Sequence, residues 1–285
     1  MKKLLFQLDP DPVASAFDTV VAHDGGADDV IVHGGINPDN VGPLVDGAIF
    51  TRSPKEKKFT ALFIGGSNME AGQNLLKAVR KKFFADFRVS VMLDSNGSNT
   101  TAAAAVALLA KAVPLNGKRA VVLAGTGPVG QRAAALLAQE GADVTLTSRR
   151  QERAQWACEL TGKRFNVKLN PVEAPDDEAR AAALNGAQIV FGAGAAGVQL
   201  LDERHWKDNA TIEAMADTNA TPPLGLKGVE MMDKHAERHG KTVIGAIGLG
   251  ALKLKIHRAC IAQLFERNDQ VLDAEEIYAV AKSMA

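Results

Sequence analysis

Short apolar runs rich in β-branched residues alternate with longer stretches of helical spacing from one end of the chain to the other. "KLLFQL" (3–8) predicts a strand, and "VASAFDTVVAHDGG" (13–26) has apolar residues at helical intervals closed by a glycine pair. "KFTALFIGG" (58–66) is a second strand; Ser67 then stands as N-cap for a helix over "NMEAGQNLLKAVRKKFF" (68–84). "FRVSVMLDSNG" (87–97) predicts a strand and turn before an Ala-rich helix over 99–113, and Pro114, Asn116 and Gly117 break the pattern. A new series follows: strand 119–125, helix 129–141, strand 143–148, and candidate strands at 165–170, 187–194, 210–217 and 241–248. Two helices close the chain, over 251–267 and 273–284, the second with Asp273 as cap and Glu276 three residues on.

Alternation of this kind predicts an α/β protein of parallel sheets with helices on their faces. The break near 114–117 divides it into an N-terminal α/β domain, 1–113, rejoined by the last helix, 268–285, and a Rossmann-like doubly wound domain, 114–267. No internal repeat or low-complexity tail interrupts this plan.

Composition narrows the function. Lys plus Arg and Asp plus Glu number 33 each among 285 residues, so no net field favours nucleic acid, and 5% aromatic residues make a poor stacking platform. Cys158 and Cys260 lie far apart with no metal-ligand spacing, which argues against a disulfide framework or a metal site and for a reducing cytoplasm. Asp9 and two prolines interrupt the apolar start before a signal sequence is complete, and the longest Ala-rich run falls short of the roughly 20 residues of a membrane span.

The strongest local signal is Gly125-Thr126-Gly127-Pro128-Val129-Gly130, a G-x-G-x-x-G run that follows an apolar strand and opens an amphipathic helix. Gly125 permits the tight turn, Gly127 lets the backbone approach a pyrophosphate, Gly130 lets helix and strand pack closely, and the helix N-terminus offers N–H groups to the anion. The strand after such a loop commonly ends in a carboxylate for the ribose 2′-hydroxyl. "VTLTSRR" (144–150) ends instead in Ser148, Arg149 and Arg150. A guanidinium can hold a 2′-phosphate that a carboxylate would repel, so the cofactor reads as NADP, with Ser148 and Arg149 as principal contacts and Arg150 as a helper. The alternative is a solvated strand end.

Three further stretches end where a doubly wound sheet binds its ligand: "FGAGAAG" (191–197), with Ala193 and Gly194, "MADTNATPPLG" (215–225), with Asn219, and "GAIGLGALK" (245–253). "LDSNGSNTT" (93–101) has the same place in the first domain, as a ligand-binding run or as a simple Asx turn and cap. Acid–base candidates are few. "HAERH" (235–239) lacks the H-E-x-x-H order and reads as an exposed helix face; His23, His33, His205 and His257 show no recurrent partner; "KEKK" (55–58) and "RKK" (80–82) read as solvated surface, with contact to an anionic substrate tail as the alternative.

With "DSNGSNTTAAA", "VVLAGTGPVG", "NATPPLG" and "GLGALKLKIHRACIAQLFE" in view, the whole chain resembles the NADP-dependent methylene-tetrahydromethanopterin/methylene-tetrahydrofolate dehydrogenases of bacterial one-carbon metabolism. The resemblance implies two α/β domains flanking a cleft, NADP on the second, a reduced pterin entering between them, and a homotrimer or homohexamer. It places the lysine near the reacting carbon at Lys253, with Lys255 as the lesser candidate, and the pterin against Phe17, Asp94, Asn96, Asn99, Thr100 and Thr101. Alternatives are a shikimate-type dehydrogenase, a bifunctional folate dehydrogenase/cyclohydrolase, or a non-catalytic NADP-sensing module. The bifunctional folate enzymes carry Tyr-x-x-x-Lys in the first domain, whereas the one tyrosine here is Tyr278.

Overall fold

The computed structural model describes residues 1–285. Contacts divide it into two compact units, Met1–Thr100 with Leu254–Met284, and Thr101–Lys253. The change-overs thus fall inside two continuous helices rather than at the 114–117 break and at residue 268. A local breaker marks a turn; a unit boundary is set by which contacts a residue makes, and a helix can pass from one set to another without a break.

The first unit contains β1 (Leu4–Leu8), α1 (Ala16–Asp24), β2 (Asp29–His33), α2 (Gly42–Phe50), β3 (Thr60–Ile64), α3 (Met69–Lys82), β4 (Ser90–Leu93) and the start of α4 (Ser98–Ala112). All five strands of its sheet are parallel, in the order β12-β4-β3-β1-β2, where β12 is Val271–Leu272 near the chain's end. β3 and β4 are buried at every residue, which is why they read as continuous apolar runs: a parallel sheet is covered on both faces. Leu62, Ile64 and Leu93 pack with Val45 and Ile49 of α2 and Leu75 and Val79 of α3. Each such fully buried side chain contributes about 1.5–3 kcal/mol. α3 starts one residue later than expected: Asn68, not Ser67, is the N-cap, its Oδ1 accepting from the Ala71 N–H at 3.0 Å. Ser67 instead donates through its backbone N–H and hydroxyl to the Asp11 carboxylate.

The second unit continues with β5 (Arg119–Leu123), α5 (Pro128–Gln139), β6 (Asp143–Ser148), α6 (Gln151–Phe165), β7 (Asn170–Glu173), α7 (Asp177–Ala183), β8 (Ile189–Gly192), β9 (Ala214–Asp217), β10 (Lys234–Arg238), β11 (Lys241–Ile244) and the start of α8 (Ala246–Leu264). α9 (Ala274–Met284) ends the chain. The sheet order is β10-β11-β9-β8-β5-β6-β7, parallel except for the β10–β11 hairpin. This is the doubly wound arrangement: the chain leaves β5 to one side for β6 and β7, then returns to the other for β8 and β9.

The structure departs from the sequence pattern at several places. The strand placed at 165–170 begins only at Asn170, because Asn166 adopts a left-handed cap (φ 52°) that ends α6, and Pro171 is tolerated because β7 is an edge. The strand at 241–248 stops at Ile244, and Ala246 already belongs to α8. "HAERH" is not a helix face: His235–Arg238 lie in β10, paired antiparallel to β11, and His235 and His239 both have positive φ. "KEKK" is not all solvated, since Lys57 is 1% exposed with its Nζ 4.0 Å over the Phe87 ring. β2, α2, α6, α7 and β12 have no counterpart among the elements the sequence pattern predicts.

Candidate nucleotide-binding site

The glycine loop sits between β5 and α5 and is fastened to the neighbouring strand. Ala124 (φ 52°) and Gly125 donate their N–H groups to Thr147, to its hydroxyl at 3.1 Å and its carbonyl at 3.0 Å. Gln131, buried on α5, donates its side-chain amide to the Thr126 carbonyl at 2.7 Å and accepts from Thr161 of α6 at 3.3 Å. Pro128 occupies the first turn of α5, where its missing N–H costs nothing, and Val129 follows half-buried.

The three glycines differ in what a methyl group would meet. At Gly130 a Cβ would lie 2.6 Å from Gly125 Cα, and at Gly125 it would lie 2.7 Å from Leu146 Cγ. Both are required by the packing of helix on strand. At Gly127 a Cβ would meet nothing within 4 Å. The chain itself has no need of glycine there, and the open space over a helix N-terminus is the cradle a pyrophosphate requires.

Beside the loop lies a cavity of about 390 Å³ lined by Ala124, Thr126, Ser148, Arg149, Arg150 and Arg153. Two more share its walls. One of about 450 Å³ is lined by Thr126, Arg150, Glu152, Arg153 and Trp156. The other, about 360 Å³, has Ala124, Thr147, Ser148 and Arg149 on one side and Ala174, Pro175, Arg180, Ala195, Val198 and Leu200 on the other. Ser148 is buried, while the Arg149, Arg150 and Arg153 guanidiniums are exposed and make no ion pair or hydrogen bond within the chain. Other arginines are tied off: Arg180 donates to the carbonyls of Leu200 and Pro175, Arg238 to Asp233, and Arg258 to Asp24. Sequence reading missed Arg153, Trp156 and Arg180. The signal for Arg153 was present, since it stands three residues after Arg150, the N-cap of α6, and both line the same cavities.

Ala193 and Gly194 follow β8 half-buried, and the Ala193 N–H donates to the Leu123 carbonyl at 3.0 Å. Asn219 is buried and works within its own loop, its Oδ1 accepting from Thr221 N–H (2.9 Å) and Gly197 N–H (3.3 Å) and its Nδ2 donating to the Pro223 carbonyl (3.1 Å). Asp217, at the end of β9, holds that loop by accepting from the N–H groups of Asn219 and Leu226. Burial pushes its carboxyl above the usual range, while hydrogen bonds from Leu226, Asn219 and Gly225 pull the other way.

In the first unit, Asp94, Asn99 and Thr100 are buried and bound to one another. Asp94 Oδ1 accepts from the Asn99 and Thr100 N–H groups at 2.9 and 3.0 Å, and Oδ2 from the Thr100 hydroxyl at 2.6 Å. Asn99 Nδ2 donates to the Leu93 carbonyl and to Asp273 Oδ1. His257 stacks on Phe63 with Nδ1 4.0 Å from Asp94 Oδ2. These residues build the turn between β4 and α4. Asn96, exposed with φ 59°, and Thr101, partly exposed, are side chains of the run with surface to offer a ligand, and Phe17 on α1 is 51% exposed. Lys253 is half-buried on α8 and Lys255 exposed. No group of His, Cys, Asp and Glu could hold a metal ion, and no helix is long and apolar enough to cross a membrane.

Residues 16–96 match the methylene-tetrahydromethanopterin dehydrogenase N-terminal family, and residues 112–225 match the putative NAD(P)-binding family. The bifunctional protein MdtA of Methylorubrum extorquens is 56% identical over 286 residues, covering 100% of this chain and 99% of that one. The NAD(P)-dependent methylenetetrahydromethanopterin dehydrogenase of the same organism is 31% identical over 294 residues, covering 100% and 99%. Among solved structures, a chorismate mutase/shikimate 5-dehydrogenase fusion protein from Clostridium acetobutylicum has a TM-score of 0.55 at 12% identity, covering 99% of this chain and 98% of that one. The 5-ketofructose reductase of Gluconobacter sp. strain CHM43 has a TM-score of 0.52 at 15% identity, covering 100% and 99%. At such identities the likeness is one of fold.

Proposed function

Because the chain belongs to the methylene-tetrahydromethanopterin dehydrogenase family, we propose that it catalyses hydride transfer from N5,N10-methylene-tetrahydromethanopterin, methylene-tetrahydrofolate, or both, to NADP, giving the methenyl form. The choice of NADP rests on one observation: the strand that would present a carboxylate to a ribose ends in Ser148 and free guanidiniums. The open face of Gly127 and the tight packing of Gly125 and Gly130 fit a dinucleotide pyrophosphate.

When bound, the nicotinamide supplies the hydride acceptor, and the two nitrogens flanking the methylene carbon supply the electrons that expel the hydride. No proton leaves the reacting carbon, so no residue need act as a general base, in keeping with the sparse acid–base groups of the sequence. The work left to the chain is alignment and exclusion of water. Gly125–Gly130 seat the pyrophosphate, with Ala193, Gly194 and the loop held by Asp217 and Asn219 walling the nicotinamide end. Phe17, Asn96 and Thr101 meet the pterin on a turn shaped by Asp94, Asn99 and Thr100. Lys253 orients the substrate; a cation beside a developing cation would not stabilise it, so its role is one of position. The same reading includes assembly into a trimer or hexamer, and the exposed Phe50, Phe84 and Phe87 cluster is apolar surface of the kind an interface covers.

The test is a spectrophotometric assay of the purified chain at 340 nm with each pterin and each of NADP and NAD. Turnover with either methylene pterin and preference for NADP are expected; absence of turnover with both pterins would overturn the reading.

A further inference from the structure

The three cavities at the end of β6 divide their arginines unequally. Arg149 stands in the central cavity and in the one beyond it toward Ala174 and Leu200, whereas Arg150 and Arg153 stand in the central cavity and in the one toward Trp156. The two outer cavities differ in chemistry. The first is walled by Ala174, Pro175, Ala195, Val198 and Leu200, and its second cation, Arg180, is spent on the carbonyls of Pro175 and Leu200, which it braces together. Apolar walls with one free guanidinium suit a flat heteroaromatic base, on whose face the guanidinium can lie. The second holds two free guanidiniums and the loop residue Thr126, and its cap residue Arg150 offers no side-chain acceptor to the first turn of α6. Two forked cations beside open N–H groups suit a phosphate.

We propose that Arg150 and Arg153 are the residues that discriminate the 2′-phosphate, and that Arg149 serves the adenine. This rests on the NADP reading above and reorders it: position in sequence puts Arg149 first because it leaves the strand directly, but the walls of the cavities place the phosphate between Arg150, Arg153 and Thr126. Arg153 is in the first turn of α6 and Arg150 is that helix's N-cap, so the pair straddles the start of one helix. Glu152, on the same wall, disfavours any anion not held by both guanidiniums.

The experiment is calorimetric titration of NADP and NAD into the wild type and into Arg149→Ala, Arg150→Ala and Arg153→Ala, with Arg153→Lys to keep the charge and remove the fork. All three positions are exposed, so the variants should melt with the wild type. Arg150→Ala and Arg153→Ala should each weaken NADP by about 10- to 100-fold and leave NAD within about twofold, whereas Arg149→Ala should weaken both alike. Arg153→Lys should fall between. A wild type that binds NADP and NAD equally would overturn the NADP reading itself. A wild type that prefers NADP, with the preference lost in Arg149→Ala and kept in Arg153→Ala, would overturn this assignment alone.

Discussion

Replacing Gly127 with Ala separates what the glycine loop needs for itself from what it offers a ligand. Gly127 has φ −78° and ψ 172°, an extended conformation open to any residue, and a Cβ built on it meets nothing within 4 Å. The folded chain therefore meets no steric clash, and the lost freedom of the unfolded chain, about 0.4–1 kcal/mol, is set against the poorer N-cap that Ala makes for α5, so stability should stay within about 1 kcal/mol. For a chain of this size that keeps the melting temperature within roughly 3 °C of the wild type. The cofactor meets a different situation. A methyl group in that space holds the pyrophosphate off the N-terminus of α5 by about 1 Å, and each weakened hydrogen bond to a charged oxygen costs about 1.5–3 kcal/mol. NADP affinity should then fall by roughly 10- to 100-fold. Titration of NADPH fluorescence and thermal melting of the ligand-free protein measure both quantities. Unchanged affinity would refute the assignment of that space to the pyrophosphate, and a melting temperature several degrees lower would refute the reading that the fold has no need of glycine there. Gly130→Ala is the contrasting variant: its methyl would press on Gly125 Cα at 2.6 Å, so it should lose about 1–3 kcal/mol of stability before any ligand is added.

Asp94→Ala removes the acceptor of three buried donors and should cost about 3–5 kcal/mol in urea unfolding; a loss below about 1 kcal/mol would show that the turn does not depend on it. Lys253→Ala should lower pterin-dependent turnover roughly tenfold or more while NADP binds as before, and unchanged turnover would remove Lys253 from the reaction. Burial pushes the Cys158 and Cys260 thiols up to about 11 and about 12 from an ordinary 9.0, so neither should react with a disulfide reagent at pH 8 in the folded protein. Above pH 9 the unfolded chain releases those protons first, so stability should fall as pH rises from about 9 through 11; a flat urea midpoint across that window would contradict it.

The α/β class, the two-unit plan and the glycine loop are legible in the sequence, because each is written in a local period or in a glycine whose neighbours are close in sequence. "VTLTSRR" likewise announced a basic strand end. What failed were readings in which a local pattern was overruled at a distance. "HAERH" has helical spacing, yet pairing with β11 makes it a strand. "KEKK" looks solvated until the Phe87 ring arrives over Lys57. Asn99 and Asp273 are 174 residues apart and hydrogen-bonded, so a polar run that reads equally as a ligand site or a cap turns out to be bonded largely within the protein.

The sequence by itself determined the alternation of most strands and helices and the place of the glycine run between β5 and α5, since backbone preference and hydrophobic period act over a few residues. Only the tertiary structure decided which arginine faces which cavity and which polar residues are already satisfied. Those properties belong to surfaces assembled from separate elements, where α6, the loop after β8 and the end of β6 meet, and no single stretch of chain contains them.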